Sequence, residues 1–212
     1  MAIELDVSAE HLEYLSRFMA KGDVRYYLNG IRVEPHSDGA IMVATDGHTL
    51  CSYLDPDGKC SEAVILDAPK QLIAAAMSKA SSKRLIIEGG QLKIKHLQEG
   101  DVFIYPGNFL IEGNYPDWRK AIPDELVPGL IGSFNMKYID RIYNKKARFA
   151  GGTFFHSAKD PQTSPAIYRP TFLRNGICVI MPMRDEMAPI PSWLEKQKLE
   201  IKALAAQQEQ AA

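Results

Sequence analysis

The chain has 212 residues, 46% of them hydrophobic, and a formal net charge of -1, the balance of a globular protein with enough length for one large core or two small ones. No apolar run approaches the roughly 20 residues of a membrane span, and the N-terminal MAIELDV lacks the basic and apolar regions of a signal peptide, so a cytoplasmic protein without a membrane partner is expected. Near-neutral net charge excludes tight general nucleic-acid binding driven by a basic surface, and leaves room for local basic patches.

The elements read in chain order as a repeated unit. Ile3, Leu5 and Val7 alternate with Glu4 and Asp6, the period of a half-buried strand. Ser8 is placed to cap a following helix, in which Leu12, Leu15, Phe18 and Met19 recur at helical spacing. YYLNGIRVE and AIMVATDGHTLCSYL supply further strands around a turn at His36-Ser37-Asp38-Gly39.

A second unit opens with the strand Ala63 to Leu66, then Asp67 as N-cap, Pro69 at the helix start and a helix carrying Leu72, Ile73, Ala76 and Met77. Strands follow at Arg84–Glu88, Gln91–Leu97 and Val102–Tyr105, the last running on towards Ile111, with Gly89-Gly90 and Glu99-Gly100 between them. A third unit begins near Leu130. Asn135 leads a helix with Tyr138, Ile139 and Ile142, and strands follow around 149–155, 167–172 and 177–181, with Asn175-Gly176 as a type I′ hairpin signal.

Three strand, helix, three-strand units predict an α+β fold of antiparallel sheets with the helices gathered on one face. The boundaries are 1–125 for a two-unit domain, 126–186 for a half domain and 187–212 for an appended helical tail, rich in Glu, Lys, Gln and Ala, with Leu194, Ile201, Leu204 and Ala205 on one weak apolar line.

Little in the sequence suggests catalysis. Cys51, Cys60 and Cys178 are odd in number and lack CxxC spacing, which predicts reduced structural thiols rather than a disulfide framework or zinc site. His11, His36, His96 and His156 lack ligand spacing, so no metal or cofactor is expected. No phosphate loop, nucleophile elbow or paired-carboxylate motif occurs. Asp46 and His48 have no nucleophile beside them and read as an Asp-Gly turn.

Four segments carry a family likeness: Asp23-Val24-Arg25-Tyr26-Tyr27-Leu28-Asn29-Gly30, Val43-Ala44-Thr45-Asp46-Gly47-His48, Tyr115-Pro116-Asp117-Trp118-Arg119 and Val179-Ile180-Met181-Pro182-Met183-Arg184. Together, and in this order, they resemble the bacterial replicative sliding clamp, the beta subunit of DNA polymerase III. The resemblance implies the DNA clamp fold. It covers the family's middle domain from Met1 to about Pro123, and the second half of its last domain from about Leu130 to Arg184. The first domain and the first half of the last have no counterpart in this sequence.

By this resemblance the chain is a non-enzymatic DNA replication and processivity factor. It would bind DNA polymerase and other proteins with clamp-binding motifs in a hydrophobic peptide cleft, and encircle duplex DNA, without sequence specificity, as a homo-oligomer. The alternative is a decoy or inhibitor that competes with a resident clamp for the same peptides without encircling DNA. The resemblance places the cleft at Leu28, Thr45, Gly47, His48, Leu50, Pro116, Ala121, Val179, Met181, Pro182 and Met183. That set suits apolar peptide anchors, since methionine adapts its shape and Gly47 admits a backbone. Thr49 stands where the family commonly has arginine. Candidate DNA-facing cations on or after the helices are Arg17, Lys21, Lys70, Lys79, Lys83, Lys137, Arg141, Lys145 and Lys146. Gln197–Ile201 is a weak candidate for a tail segment that regulates the cleft.

Overall fold

Leu5 and Val7 point into the protein and Asp6 points out, so the alternating start of the chain forms strand β1 (Leu5–Ser8). The structure is a computed structural model that describes residues 3–77, 82–143, 151–160 and 162–184. The tail from 187 onward, Lys79, Lys145, Lys146 and the start of the strand expected at 149 lie outside the described residues.

After β1 come α1 (Leu12–Ser16), a 3₁₀ turn at Tyr26–Asn29, and strands β2 (Gly30–His36), β3 (Gly39–Thr45), β4 (Thr49–Asp55) and β5 (Lys59–Cys60). The second unit runs β6 (Val64–Asp67), α2 (Lys70–Met77), β7 (Lys83–Glu88), β8 (Gln91–His96) and β9 (Gly100–Ile104). A 3₁₀ turn at Trp118–Ala121 leads to β10 (Leu126–Pro128), α3 (Met136–Ile142), β11 (Gly152–Ser157), β12 (Ala166–Pro170) and β13 (Gly176–Ile180).

The first two units exchange their leading strands. β1 pairs with β7 in a five-stranded sheet ordered β5-β1-β7-β8-β9, and β6 pairs with β2 in an eight-stranded sheet ordered β10-β11-β12-β13-β4-β3-β2-β6. The third unit departs from this pattern, because its leading strand β10 folds back onto β11 of its own sheet. β13 then adds directly to β4, with Gly176 opposite Tyr53 and Ile180 opposite Thr49, and so continues the first unit's sheet.

The three α-helices among the described residues pack on the inner faces of the sheets. Leu12, Leu15, Leu72 and Ile142 share one core with Met42, Ala44, Cys51, Leu85, Leu92, Cys178 and Ile180. The opposite face of the eight-stranded sheet carries a second, smaller apolar cluster of Ile41, Val43, Leu50, Trp118, Ile167 and Val179. Strand parity separates the two sets, since neighbours along a strand face opposite sides.

Several local expectations change. Asn135, read as leading into the helix, also caps α3, accepting from the Lys137 amide at 3.0 Å. Ser8 instead accepts from Glu10 N at 3.3 Å, and α1 starts only at Leu12. Asp67 is the end of β6 rather than a helix cap, and its carboxylate accepts from the Tyr105 hydroxyl at 2.5 Å. The two-residue hairpin with positive φ at both turn residues lies at Gly89-Gly90, with φ of 59° and 74° between the paired Glu88 and Gln91. Asn175-Gly176 is no such turn. Gly176 already belongs to β13, where Leu173 and the Ser52 carbonyl leave no room for a Cβ, because the connection from β12 dips inward to bury Leu173.

Candidate functional site

The side chains of Asp46 and Thr45 hold the β3–β4 turn. Asp46 Oδ1 accepts from the amides of His48 and Thr49 at 2.9 and 2.8 Å and from Thr49 Oγ1 at 3.1 Å, while Oδ2 accepts from Arg141 Nη1 on α3. Burial would raise the Asp46 carboxyl, but the bonds from Arg141, Thr49 and His48 outweigh it and hold it below the usual carboxylate range. The Asp-Gly-His segment is therefore a structural turn. Gly47 takes a φ of 88°, with the Arg25 guanidinium beside the place where a Cβ would stand.

This turn presents His48, which is exposed and stacks on Tyr138 of α3 at 5.7 Å and 13°. His48 O accepts from Met181 N at 2.9 Å, and Met183 N donates to Ser133 O at 2.7 Å, so the strand leaving β13 is pinned on both sides. Met181 and Met183 stay 37% and 38% exposed, and Met181 lies directly across the seam from His48. Strand parity puts Leu50, Val179 and Met181 on the outer face of the sheet.

The Tyr115–Ile122 segment covers that face. Tyr115 donates to Val43 O at 3.3 Å, Trp118 Nε1 approaches Glu34 at 3.4 Å and Arg119 pairs with Glu34 at 2.5 Å. Arg32 joins Glu34 at 2.7 Å and lies over the Tyr115 ring. Burial would raise Glu34, yet hydrogen bonds and charge from Arg32 and Arg119 leave it lowered. Burial also pushes the Tyr115 hydroxyl up.

The residues expected to line a cleft divide into two groups. Leu50, Val179 and Ala121 meet in the outer apolar cluster, but Leu50 and Val179 are buried beneath the covering segment. Thr45 is buried, its hydroxyl donating to Thr49 O at 2.7 Å, and Leu28 is buried in its 3₁₀ turn. Gly47, His48, Pro116, Met181 and Met183 are exposed, and Ala121 and Pro182 are half-buried. Tyr138, Arg25, Arg32 and Glu34 complete the surroundings and were missed in the sequence. Arg32 and Glu34 sit two apart on β2, a charge pair at strand spacing, which is the signal that could have found them.

The candidate DNA-facing cations also divide. Lys83 is a correction: it is 5% exposed, and its ammonium donates to Ala75 O at 2.6 Å near the end of α2. Arg141 is committed to Asp46 and Thr49. Arg17 pairs with Glu13 at 2.9 Å and donates to Tyr143 O, tying the ends of α1 and α3. Lys21, Lys70 and Lys137 are exposed. A groove of about 720 Å³ runs between the ends of α1 and α3, lined by Lys21, Arg25, His48 and Asp140 among others. Among the described residues no group of three or more His, Cys, Asp or Glu is arranged to hold a metal, and no helix is long and apolar enough to cross a membrane.

The same architecture recurs in solved structures. Caulobacter crescentus pol III beta superposes with a TM-score of 0.56 over 87% of this chain and 67% of its own, at 18% identity. A DNA polymerase sliding clamp from Pseudomonas aeruginosa gives 0.54 over 86% and 66%, at 19% identity. The chain is built on the sliding-clamp fold. Sequence similarity to clamps reaches half the chain: 35% identity over 107 residues to the beta sliding clamp of Escherichia coli (strain K12), covering 50% of this chain and 28% of that one. The Pseudomonas putida (strain KT2440) beta sliding clamp is 31% identical over 124 residues, 56% of this chain and 33% of the relative. The chain thus spans a third or less of these curated clamps. No family model matches it.

Proposed function

We propose that the chain is a non-enzymatic, clamp-like replication factor that binds short hydrophobic peptides of polymerase-type partners on the outer sheet. One observation carries the reading: Met181 and Met183 stand exposed where the chain leaves β13, with the Met181 amide bonded to His48 O at the seam between β13 and β4. Exposed, adaptable methionines suit a surface that grips apolar anchors from several partners. The test is fluorescence polarisation with a peptide in which glutamine is followed by leucine and an aromatic or aliphatic pair. Binding should weaken roughly tenfold when Met181→Ala and Met183→Ala are combined. No binding, or binding indifferent to that pair, overturns the reading.

Contact with duplex DNA belongs to the same proposal, through the exposed Lys21, Lys70 and Lys137 on the helix side. Such contacts read phosphate charge, not sequence, and their affinity falls steeply with salt. An affinity for duplex DNA that ignores salt would remove this part.

A second reading, the decoy that competes for peptides without encircling DNA, is favoured by the β10 edge. The bonds Gly129 N to Phe154 O and Ala158 N to Glu125 O turn the odd-numbered residues towards β11, so the Pro128 nitrogen, which has no hydrogen, faces outward. A proline there blunts the edge against further strand addition. Light scattering decides between the two: a monomer that displaces polymerase from an authentic clamp supports the decoy, and a closed ring sinks it.

A further inference from the structure

Cys51 on β4 and Cys178 on β13 are direct antiparallel partners. The bonds on either side define the kind of pair. Leu54 N donates to Asn175 O at 3.0 Å and Met181 N donates to His48 O at 2.9 Å, so hydrogen-bonded pairs fall at 54/175 and 48/181 and at every second position between them. Leu50/Val179 and Ser52/Ile177 are hydrogen-bonded, and Cys51/Cys178 occupies the non-hydrogen-bonded place. There the two Cα atoms approach to about 4.5 Å and the side chains are at their closest, within the separation that a disulfide spans.

The surroundings hold the two thiols against each other and away from solvent. Both are fully buried. Burial first, and then the neighbouring Cys178 thiol, push Cys51 up. Tyr14 donates its hydroxyl hydrogen to Ile142 O at 3.0 Å, which leaves its oxygen, 3.3 Å from Cys178 Sγ, to accept from that thiol. Cys60, half-buried at the other edge of the protein on β5, takes no part.

We propose that Cys51 and Cys178 are a modification site: under thiol oxidation they close a cross-strand disulfide that staples β13 to β4. With diamide as oxidant, a Cys thiolate adds to its N=N bond. The second thiolate then attacks that sulfur and expels the hydrazine, which leaves with both electrons and both protons. The new S–S bond lies on the inner side of the seam whose outer side carries Leu50 and Val179. Because both thiols are buried, the bond forms only as fast as β13 lifts from β4, and its rate of closure reports that opening. The staple's effect on peptide binding rests on the proposed cleft; the bond itself does not.

The experiment uses the full chain carrying Cys60→Ser, treated with diamide and, separately, refolded in a glutathione redox pair, then alkylated in denaturant and read by intact mass and peptide mapping. The expected result is loss of two hydrogens, one linked peptide containing Cys51 and Cys178, and a thermal midpoint roughly 5 °C or more above that of the same sample after reduction. Adding Cys178→Ala, or Cys51→Ala as the second variant, removes the link and the oxidant-dependent shift. The proposal is overturned if both thiols remain fully alkylatable after both treatments, or if the link joins two chains. A bond that forms in a protein with no peptide affinity in either state leaves the staple standing and sinks only the cleft.

Discussion

Arg141 of α3 donates to the Asp46 carboxylate in the β3–β4 turn across 95 residues of sequence, and its Nη1 also reaches Thr49 Oγ1 at 2.7 Å. This pair is the polar counterpart of the β13–β4 seam. It locks the third unit's helix to the turn that presents His48, so the placement of His48 against Tyr138 depends on it.

Removing one side of that pair is therefore expected to cost more than an exposed ion pair would. Asp46→Ala strips four donors of their acceptor and should lower stability by about 2–4 kcal/mol, whereas Arg141→Met, which leaves Asp46 three donors, should lose about 1–2 kcal/mol. Urea denaturation checks both. Equal, negligible losses would contradict the assigned roles.

Lys83→Met separates a structural lysine from a DNA-facing one. Its ammonium satisfies the Ala75 carbonyl near the end of α2, so the substitution should destabilise by about 1–3 kcal/mol while leaving the salt dependence of any DNA binding unchanged. Lys70→Met, at an exposed position, should do the reverse. A reduced salt slope in the Lys83 variant would restore it to the phosphate-facing set.

Acid should destabilise the fold in two stages. Burial lowers His11 below its ordinary value, against the opposing charges of Glu10 and Asp55. The unfolded chain then binds the proton more readily, so the His11 contribution is complete above about pH 6.5 and is lost as pH falls through the lowered folded value. Asp46 and Glu34 are likewise lowered, so theirs is present above the ordinary carboxylate range and lost at more acid pH. Urea midpoints across this range should decline in both windows, and His11→Gln should flatten the upper one alone. An unchanged upper limb would exclude His11 as its source.

Gly30 opens β2 where Ile111, the Leu66 carbonyl and Ile65 would lie 2.7–2.8 Å from any Cβ. Gly30→Ala is expected to cost about 1–3 kcal/mol through overpacking, read as a lower thermal midpoint. A neutral substitution would show that the Phe109–Ile111 crossing beside β6 yields freely.

The sequence by itself determined the local periods and their punctuation. Leu5 and Val7 alternate into the core, Asn135 leads into α3, Gly89-Gly90 separates two strands, and the Asp-Gly-His and Met-Pro-Met segments mark the likeness to clamps. Each of these depends on a side chain and its near neighbours, which is why it was legible. Tertiary structure decided what joins what. It put β13 on β4, folded β10 back onto its own sheet, took Lys83 away from solvent, drew Arg141 to Asp46 and set Cys51 opposite Cys178. These outcomes turn on which distant strand edge supplies the hydrogen bonds and on which desolvated charge finds a partner. A strand's period of two carries no information on either, since any edge of matching burial would satisfy it equally.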